Sequence, residues 1–219
     1  MRDIVKIFNN LLNKKILLIF SLLIIIFYRS PYILLEGRFL AEEGFFWYKN
    51  ILLNGQFSTL ILIQDISGYF HLWMNIAAFF SGLVTMEKAP LVTVYFSFFL
   101  LVYILFYIIN SKSDFLPTNN TKYIACMIVL FSPVMTSEVW LNSLNAMSYL
   151  GILSFFILLE SSHSSIFKKI NFIFLFISGL SGFYSSGLLP LFLIKYIYYR
   201  TKTNLLNFMI LLFTAVTQI

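Results

Sequence analysis

Charged residues are scarce in this chain of 219 residues: they make up 11% of it, whereas 60% of the residues are apolar. A soluble domain carries roughly 25% charged residues, so the deficit excludes a water-soluble core and predicts an integral membrane protein. The net charge of +6 is better explained by basic flanks that anchor membrane spans than by nucleic-acid binding, because no run of Lys and Arg alternates with aromatic residues. We therefore expect the lipid bilayer as a partner and no nucleic acid.

Cysteine and histidine are almost absent. The one cysteine, Cys126, lies in an apolar run and has no partner for an intramolecular disulfide. The two histidines are far apart in the sequence, which argues against a zinc site or a histidine-based catalytic metal centre. No HExxH, GxSxG or Walker-type loop occurs. The acidic loop residues leave Mg²⁺ or Mn²⁺, held through oxygen atoms, as the one kind of cofactor still open.

Long apolar runs separated by short polar segments are abundant, and they predict an all-α bundle of about seven to eight transmembrane helices in a single domain, residues 1–219. The predicted spans run approximately over residues 16–35, 69–84, 90–109, 123–134, 147–159, 172–187, 188–197 and 205–219. No small-x-small cleavage site follows the first run, so we expect an uncleaved span. The last run is shorter than the roughly 20 residues that span a bilayer, and we expect the chain to be the N-terminal part of a longer fold.

The segment between the first two spans, residues 36–68, holds four of the nine acidic residues and is predicted to be the first extracytoplasmic loop. On a helical wheel at about 100° per residue, one arc contains Arg38, Glu42, Glu43, Lys49 and Asn50. The opposite arc contains Leu40, Trp47, Tyr48, Ile51 and Leu52. This pattern predicts an amphipathic helix from about Phe39 to Leu53 that lies in the membrane surface with its charges toward water.

Basic flanks predict the topology. The N-terminus and the segments 111–122, 160–169 and 198–204 are rich in Lys and Arg, so all four are expected on the cytoplasmic side. Three full crossings before residue 111 contradict this assignment, so either residues 57–64 re-enter the membrane or one crossing is drawn wrongly. The assignment places the loop of residues 36–50 and Glu138 together outside a bacterial cytoplasmic (inner) membrane.

Several motifs in a fixed order resemble the multi-span glycosyltransferases of the GT-C fold and their poorly characterised bacterial relatives. They are Arg29-Ser-Pro, RFLAEEG from Arg38, GYFHLW from Gly68, EKAP from Glu87, SEVWLNSLN from Ser137 and SGLSGFYSSGLLPLFLIKYIYYR from Ser178. The resemblance covers about residues 28–200. It implies transfer of a sugar from a polyprenyl-phosphate carrier to a glycan or lipid acceptor of the cell envelope.

In that superfamily the first extracytoplasmic loop carries an acidic residue that is essential for transfer. By resemblance, this role maps onto Glu42 and Glu43, and a polar residue after the fourth span maps onto Glu138. The relatives often have Asp in place of Glu43 and Arg in place of Asn75, and they are usually much longer.

The residues suggest roles within this hypothesis. Glu42 or Glu43 is expected to act as the general base. Arg29, Arg38 and Lys49 are candidate phosphate contacts, and Tyr69, His71 and Trp47 are expected to line the sugar site. Glu138, Asn142 and Asn145 recur at about one-turn spacing and are candidate substrate-binding residues; capping of a helix is the alternative for them.

Two other functions stay open. A transporter or flippase component for lipid-linked sugars would need charges or broken helices near the middle of the membrane, and Lys195 is the clearest charge inside a predicted span. A non-enzymatic membrane subunit would need the loop charges only to be solvated.

Overall fold

The computed structural model of the protein describes residues 2–40, 42–64, 68–132, 139–161 and 165–218, with side chains from residue 15 onward except those of residues 165 and 166. Over these residues the chain forms helices and loops and no β-strand, which confirms the predicted all-α class. The α-helices are α1 (Arg2–Arg29), α2 (Pro31–Glu36), α3 (Lys49–Asn54), α4 (Leu72–Ser81), α5 (Ala89–Asn110), α6 (Asn119–Phe131), α7 (Ala146–Leu159), α8 (Ser165–Gly179), α9 (Phe183–Ser186), α10 (Leu189–Tyr199) and α11 (Lys202–Thr217). A π-helical segment (Glu43–Tyr48) leads into α3, and a 3₁₀-helix (Gln56–Ile61) follows α3.

Helix α5 defines the long axis of the bundle, because its 22 residues extend over about 33 Å. We call its N-terminal end, which the segment 30–88 surrounds, the loop end, and its C-terminal end the lysine end. At the loop end the Tyr95 hydroxyl donates to the Leu34 carbonyl (2.9 Å). At the lysine end Lys15 Nζ donates to Asn110 Oδ1 (3.1 Å). These two bonds show that α1 runs antiparallel to α5.

Helices α6 and α7 continue the alternation. Near the start of α6, Lys122 Nζ donates to the Ser111 carbonyl at the lysine end (2.6 Å). At the end of α6, the Leu130 carbonyl accepts a hydrogen bond from Arg29. Helix α7 then returns to the lysine end, where the carboxylate of Glu160 accepts from the Ser111 hydroxyl (2.7 Å).

Helices α8, α10 and α11 continue this alternation in direction. The Leu180 carbonyl, just beyond α8, accepts from the Leu72 amide at the loop end (2.9 Å). In α10, Lys195 Nζ donates to the Glu160 carbonyl at the lysine end (2.7 Å). After α11, Gln218 Nε2 donates to the Phe70 carbonyl at the loop end (2.9 Å). The helices α1, α5, α6, α7, α8, α10 and α11 therefore alternate in direction along the described chain, although α6, α7 and α10 are much shorter than α5.

The two ends differ in charge. Among the described side chains, the lysine end has eight basic and two acidic residues: Lys15, Lys112, Lys122, Lys168, Lys169, Lys195, Arg200 and Lys202, with Asp114 and Glu160. The loop end has four of each: Arg29, Arg38, Lys49 and Lys88, with Glu36, Glu42, Glu43 and Glu87. The positive charge of the protein is thus concentrated at one end of the bundle.

Between the ends, large apolar side chains face outward and several hydroxyls face inward. Outward-facing residues that are more than half exposed include Phe20, Phe99, Ile128, Ile173 and Phe213. Buried hydroxyls include those of Ser97, Ser154, Ser178 and Ser185, and the Ser154 and Ser178 hydroxyls are hydrogen-bonded (2.9 Å). An apolar exterior around satisfied polar groups is the arrangement that a lipid environment favours.

By length and composition, one helix within the described residues can cross a bilayer alone, namely α5. The segments Phe167–Gly179 and Phe183–Tyr199 pass the same test as a pair, but they are bent by 113° at the break between them. The predicted second span, residues 69–84, is the ten-residue α4, and both ends of α4 lie against loop-end residues. The fold therefore shows one or two individually sufficient spans rather than seven to eight.

The surface helix also differs from the prediction. Regular helix begins near Glu43 rather than Phe39, and it opens with the π-helical segment. The predicted separation of charged and apolar arcs is wrong at Glu43, which is buried beside Trp47. On the helical wheel these two residues lie only about 40° apart. The helix face that buries the Trp47 indole therefore also buries the Glu43 carboxylate.

Gly37 and Gly55 allow a paired test of the packing at the loop end. Both have a positive φ with extended ψ (71° and 166°; 80° and 161°), a region that is nearly restricted to glycine. A Cβ on Gly37 would lie 2.6 Å from the Leu91 amide nitrogen of α5, whereas one on Gly55 would meet nothing within 4 Å.

We expect Gly55→Ala to cost roughly 1–3 kcal/mol through backbone strain alone. Gly37→Ala adds roughly 1–3 kcal/mol because the methyl group forces α2 away from α5. The midpoint of thermal unfolding in detergent measures both, with Gly55→Ala as the matched control. Equal shifts of the two midpoints would contradict the close approach of Gly37 to α5.

Candidate functional site

The Glu43 carboxylate is the centre of the loop end. The side chain is 1% exposed. Its Oε1 accepts hydrogen bonds from the amides of Ser143 (2.8 Å) and Leu144 (3.3 Å), and its Oε2 accepts from the amide of Leu40 (3.2 Å). The carboxylate thus joins the first loop to the segment before α7, which lies a hundred residues later in the chain.

The π-helical segment explains how Glu43 reaches this position. The amide of Lys49 donates to the carbonyl of Gly44, five residues earlier, so this turn contains one residue more than an α-helical turn. Glu43, Trp47, Tyr48 and Ile51 are buried, while Lys49 remains exposed. A π-turn of this kind frequently accompanies a functional site.

His71 holds the other side of the same peptide. Its Nδ1 accepts from the Met74 amide (3.2 Å), which caps the N-terminus of α4, so the ring proton is on Nε2. Nε2–H donates to the Leu144 carbonyl (2.7 Å). Burial lowers the pKa of His71 to about 4, and the ring is neutral at pH 7. The backbone of Leu144 is therefore held through its amide by Glu43 and through its carbonyl by His71.

Burial also sets the proton affinity of Glu43. It raises the pKa of this carboxyl from 4.5 to about 7, although the three backbone donors and the charge of Arg38 act in the opposite direction. A carboxyl group with a pKa near neutrality can accept or release a proton under physiological conditions, which general acid–base catalysis requires.

Trp47 and Asn75 form a second buried contact beside Glu43. The indole N–H of Trp47 donates to Asn75 Oδ1 (2.8 Å), and Asn75 Nδ2 donates to the Leu62 carbonyl (2.8 Å). Both side chains are buried. We predicted that Trp47 and His71 line a sugar site. In the structure both make buried hydrogen bonds to other loop-end residues, Asn75 and Leu144.

The two arginines converge on Trp140. Arg38 Nη2 donates to the Trp140 carbonyl (3.4 Å). The Arg29 guanidinium lies over the Trp140 ring at 3.9 Å from its centroid and donates to the Leu130 carbonyl. Arg38 is the cation whose charge acts on Glu43, whereas Arg29 lies toward the end of α6.

The other predicted residues are spread over the loop end. Glu42 and Tyr69 are half-buried, and exposed Lys49 lies 5.1 Å from the centre of the Phe45 ring. Asn142 Oδ1 accepts from the amides of Leu144 (2.7 Å) and Asn145 (3.2 Å). Residues 139–145 form turns, so Asn142 and Asn145 share no helix face, and Asn145 is the residue that precedes α7. Glu138 lies outside the described residues.

Sequence reasoning missed Ser143. Its amide donates to Glu43, and its hydroxyl donates to the Thr93 carbonyl (2.6 Å) and contacts the Ser97 hydroxyl (3.1 Å). Ser143 therefore attaches the Glu43 loop to α5. A serine between two asparagines (residues 142–145) gave no signal of this role beyond the local polarity of the segment.

The arrangement around Glu43 does not fit the Mg²⁺ or Mn²⁺ left open above. Three backbone N–H groups surround its oxygens, and these are donors rather than metal ligands. Across the described residues, no three His, Cys, Asp or Glu side chains group together in a way that could hold a metal ion.

Comparison of the chain with protein-family models, with curated proteins and with solved structures finds no match in any of the three. The resemblance to GT-C glycosyltransferases remains a prediction that depends on the order of the motifs.

The raised pKa of Glu43 predicts a specific pH dependence. Between about pH 4.5 and 7 the folded protein holds a proton on Glu43 that the unfolded chain has lost. Its contribution to stability therefore falls as the pH rises, by about 1.4 kcal/mol per pH unit. His71 acts in the opposite direction between about pH 4 and 6.5, because only the unfolded chain binds that proton.

The two contributions nearly cancel in the wild type. We expect the stability of Glu43→Gln to rise with pH between about 4.5 and 6.5, and thermal unfolding in detergent across this range measures it. His71→Asn retains an acceptor for the Met74 amide and should show the opposite slope. Glu42→Gln is the control and should follow the wild type. A Glu43→Gln profile parallel to the wild type would show that Glu43 is ionised throughout this range.

Proposed function

We propose that the chain is a multi-pass membrane protein of the bacterial inner membrane, with its N-terminus and the lysine end in the cytoplasm. The excess of basic residues at one end of the bundle supports this orientation, because Lys and Arg flanks are retained on the cytoplasmic side. The outward-facing apolar side chains between the ends support contact with lipid.

The short helix α4 supports one way to resolve the conflict in the sequence-based topology. If α4 stays at the loop end, α1 crosses outward and α5 crosses inward, so the segment 111–118 returns to the cytoplasm. Both ends of α4 support this: the amide of Leu72 donates to the Leu180 carbonyl, and Gly82 lies against Gln56 and Ile51. Seven crossings then place every basic segment on one side.

We further propose that the protein is a GT-C-like glycosyltransferase that moves a sugar from a polyprenyl-phosphate carrier to a glycan or lipid acceptor at the loop end. The observation that carries this proposal is the buried Glu43 carboxyl, whose pKa of about 7 suits proton transfer and which lies within the field of Arg38. Both residues belong to the loop that the motif resemblance assigns to catalysis.

The hydrogen bonds of Glu43 indicate where an acceptor hydroxyl would approach. Oε1 accepts two backbone hydrogen bonds, but Oε2 accepts one, from Leu40. A carboxylate oxygen can accept two, so the second position on Oε2 is where Glu43 would take the proton of the attacking hydroxyl. Arg38 would stabilise the departing phosphate, and half-buried Glu42 would lie at the edge of the site.

A second candidate is a non-enzymatic membrane subunit or a component of a lipid-linked sugar transporter. The observation that favours it is that, within the described residues, the three hydrogen bonds to Glu43 all come from backbone amides of the same chain. In that function Glu43 connects the two loops and meets no substrate. The two functions differ in what removal of the Glu43 charge would affect. An enzyme would lose turnover, whereas a non-enzymatic subunit would lose stability.

Cysteine labelling tests the membrane topology. In a Cys126→Ser background, which removes the buried native thiol, Thr85→Cys and Lys112→Cys place exposed thiols at the two ends of α5. We expect a membrane-impermeant maleimide to label position 85 in intact cells and position 112 only after permeabilisation. Labelling of both positions from the same side would show that α5 does not cross the membrane.

A transfer assay with a labelled polyprenyl-phosphate sugar tests the enzymatic proposal. Glu43→Gln should lower kcat by roughly 10²–10⁴-fold with little change in KM, because general base catalysis contributes about this much. Glu42→Gln should retain most of the wild-type kcat, and Arg38→Gln should lower kcat because the departing phosphate loses its stabilising cation.

A thermal unfolding midpoint measured for each variant separates turnover from folding. Equal kcat for the wild type and a folded Glu43→Gln would remove Glu43 from the chemistry. No transfer by the wild type, together with a destabilised Glu43→Gln, would favour the non-enzymatic function.

A further inference from the structure

An apolar groove opens on the lipid-facing surface between α7 and the α9–α10 segment. It has a volume of about 320 Å³. Its walls include Ile152 and Phe155 of α7, Tyr184 of α9, and Leu188. Phe155 and Tyr184 are 42% and 44% exposed, so the groove is open to the surroundings of the bundle rather than enclosed.

The groove begins near the loop end. Two of its lining residues are polar. Ser132 directly follows α6, and Ser148 lies in the first turn of α7. In the proposed orientation this is the headgroup region of the outer leaflet. The groove then extends along α7 toward the middle of the membrane, which is the direction an acyl chain follows.

Arg29 lies beside this polar opening. It contacts both residues that precede Ser132: its guanidinium donates to the Leu130 carbonyl and lies 6.0 Å from the centre of the Phe131 ring. It also interacts electrostatically with Tyr149, the neighbour of Ser148. A positive charge next to a polar rim and above an apolar groove is complementary to a lipid with an anionic headgroup.

Trp140 holds this guanidinium in place. Its side chain is 1% exposed, and the Arg29 guanidinium lies over its ring at 3.9 Å from the centroid. The buried ring therefore orients Arg29 and does not itself line the groove.

We propose that this surface binds an anionic phospholipid of the outer leaflet, with one acyl chain in the groove and its phosphate beside Arg29. The proposal depends on the membrane orientation proposed above and not on glycosyl transfer. A phospholipid is favoured because Arg29 lies at the lipid-facing groove, whereas Arg38 is the cation that acts on Glu43.

Native mass spectrometry of the full chain tests the assignment, with phosphatidylglycerol and phosphatidylcholine supplied at equal concentration. We expect the wild type to retain phosphatidylglycerol preferentially. Arg29→Gln should weaken that preference about fivefold, the effect of one basic residue at a membrane surface. Lys88→Gln, which removes an exposed loop-end charge that does not line the groove, is the control and should retain the wild-type preference.

Two further variants separate the chain site from the headgroup site. Ile152→Trp fills the groove and should reduce retention of both lipids. Ile128→Trp, on the exposed face of α6, is its control and should change neither. If Arg29→Gln does not fold, Ile152→Trp still decides the result.

Equal retention of the two lipids by the wild type would overturn the proposal, as would an unchanged preference in folded Arg29→Gln. Displacement of phosphatidylglycerol by equimolar polyprenyl phosphate would reassign the groove to the sugar carrier and overturn it as well. Cysteine labelling that contradicts the topology would refute the membrane placement itself. A correct topology without lipid preference would refute only this site.

Discussion

The burial of one carboxylate is the constraint on which the loop end depends. Glu43 exchanges water for three backbone N–H groups, two of them from residues 143 and 144. A buried acidic group is tolerated only when it is hydrogen-bonded or protonated. The pKa of Glu43 is about 7, so both the ionised and the protonated form are populated near neutral pH. The positions of α4, through His71, and of α5, through Ser143, follow from the same two peptides.

The lysine end repeats this solution with a different carboxylate. Glu160 is buried and accepts from the Ser111 hydroxyl and the Lys112 amide, both at 2.7 Å. Its carbonyl accepts from Lys195, so α5, α7 and α10 meet at one residue. A buried glutamate thus lies near each end of α5: Glu43 accepts from three backbone amides, and Glu160 accepts from one amide and one hydroxyl. The helices between the two ends need only apolar contact and a few shared hydroxyls.

Composition and run length predicted the all-α class and most helices, because apolar runs bounded by polar segments have few alternatives. The length of α4 and the break between α8 and α9 were missed, since both depend on contacts with residues distant in sequence, such as Leu72 with Leu180. Glu43 and His71 were chosen as site residues from local charge and spacing. Their link through Leu144 could not be predicted, because no local pattern connects residues 43, 71 and 144.

Under the proposed enzymatic function, the same linkage would determine how a substrate acts on the protein. A ligand that binds ionised Glu43 would favour loss of its proton and strengthen the donors from residues 143 and 144. A hydroxyl that gives its proton to Glu43 would weaken those bonds and loosen the peptide that His71 also holds. Proton transfer at Glu43 and the packing of the segment before α7 are therefore coupled. An enzyme can use such coupling to release product, whereas a purely structural carboxylate would be more stable with the low pKa that greater exposure or a closer cation provides.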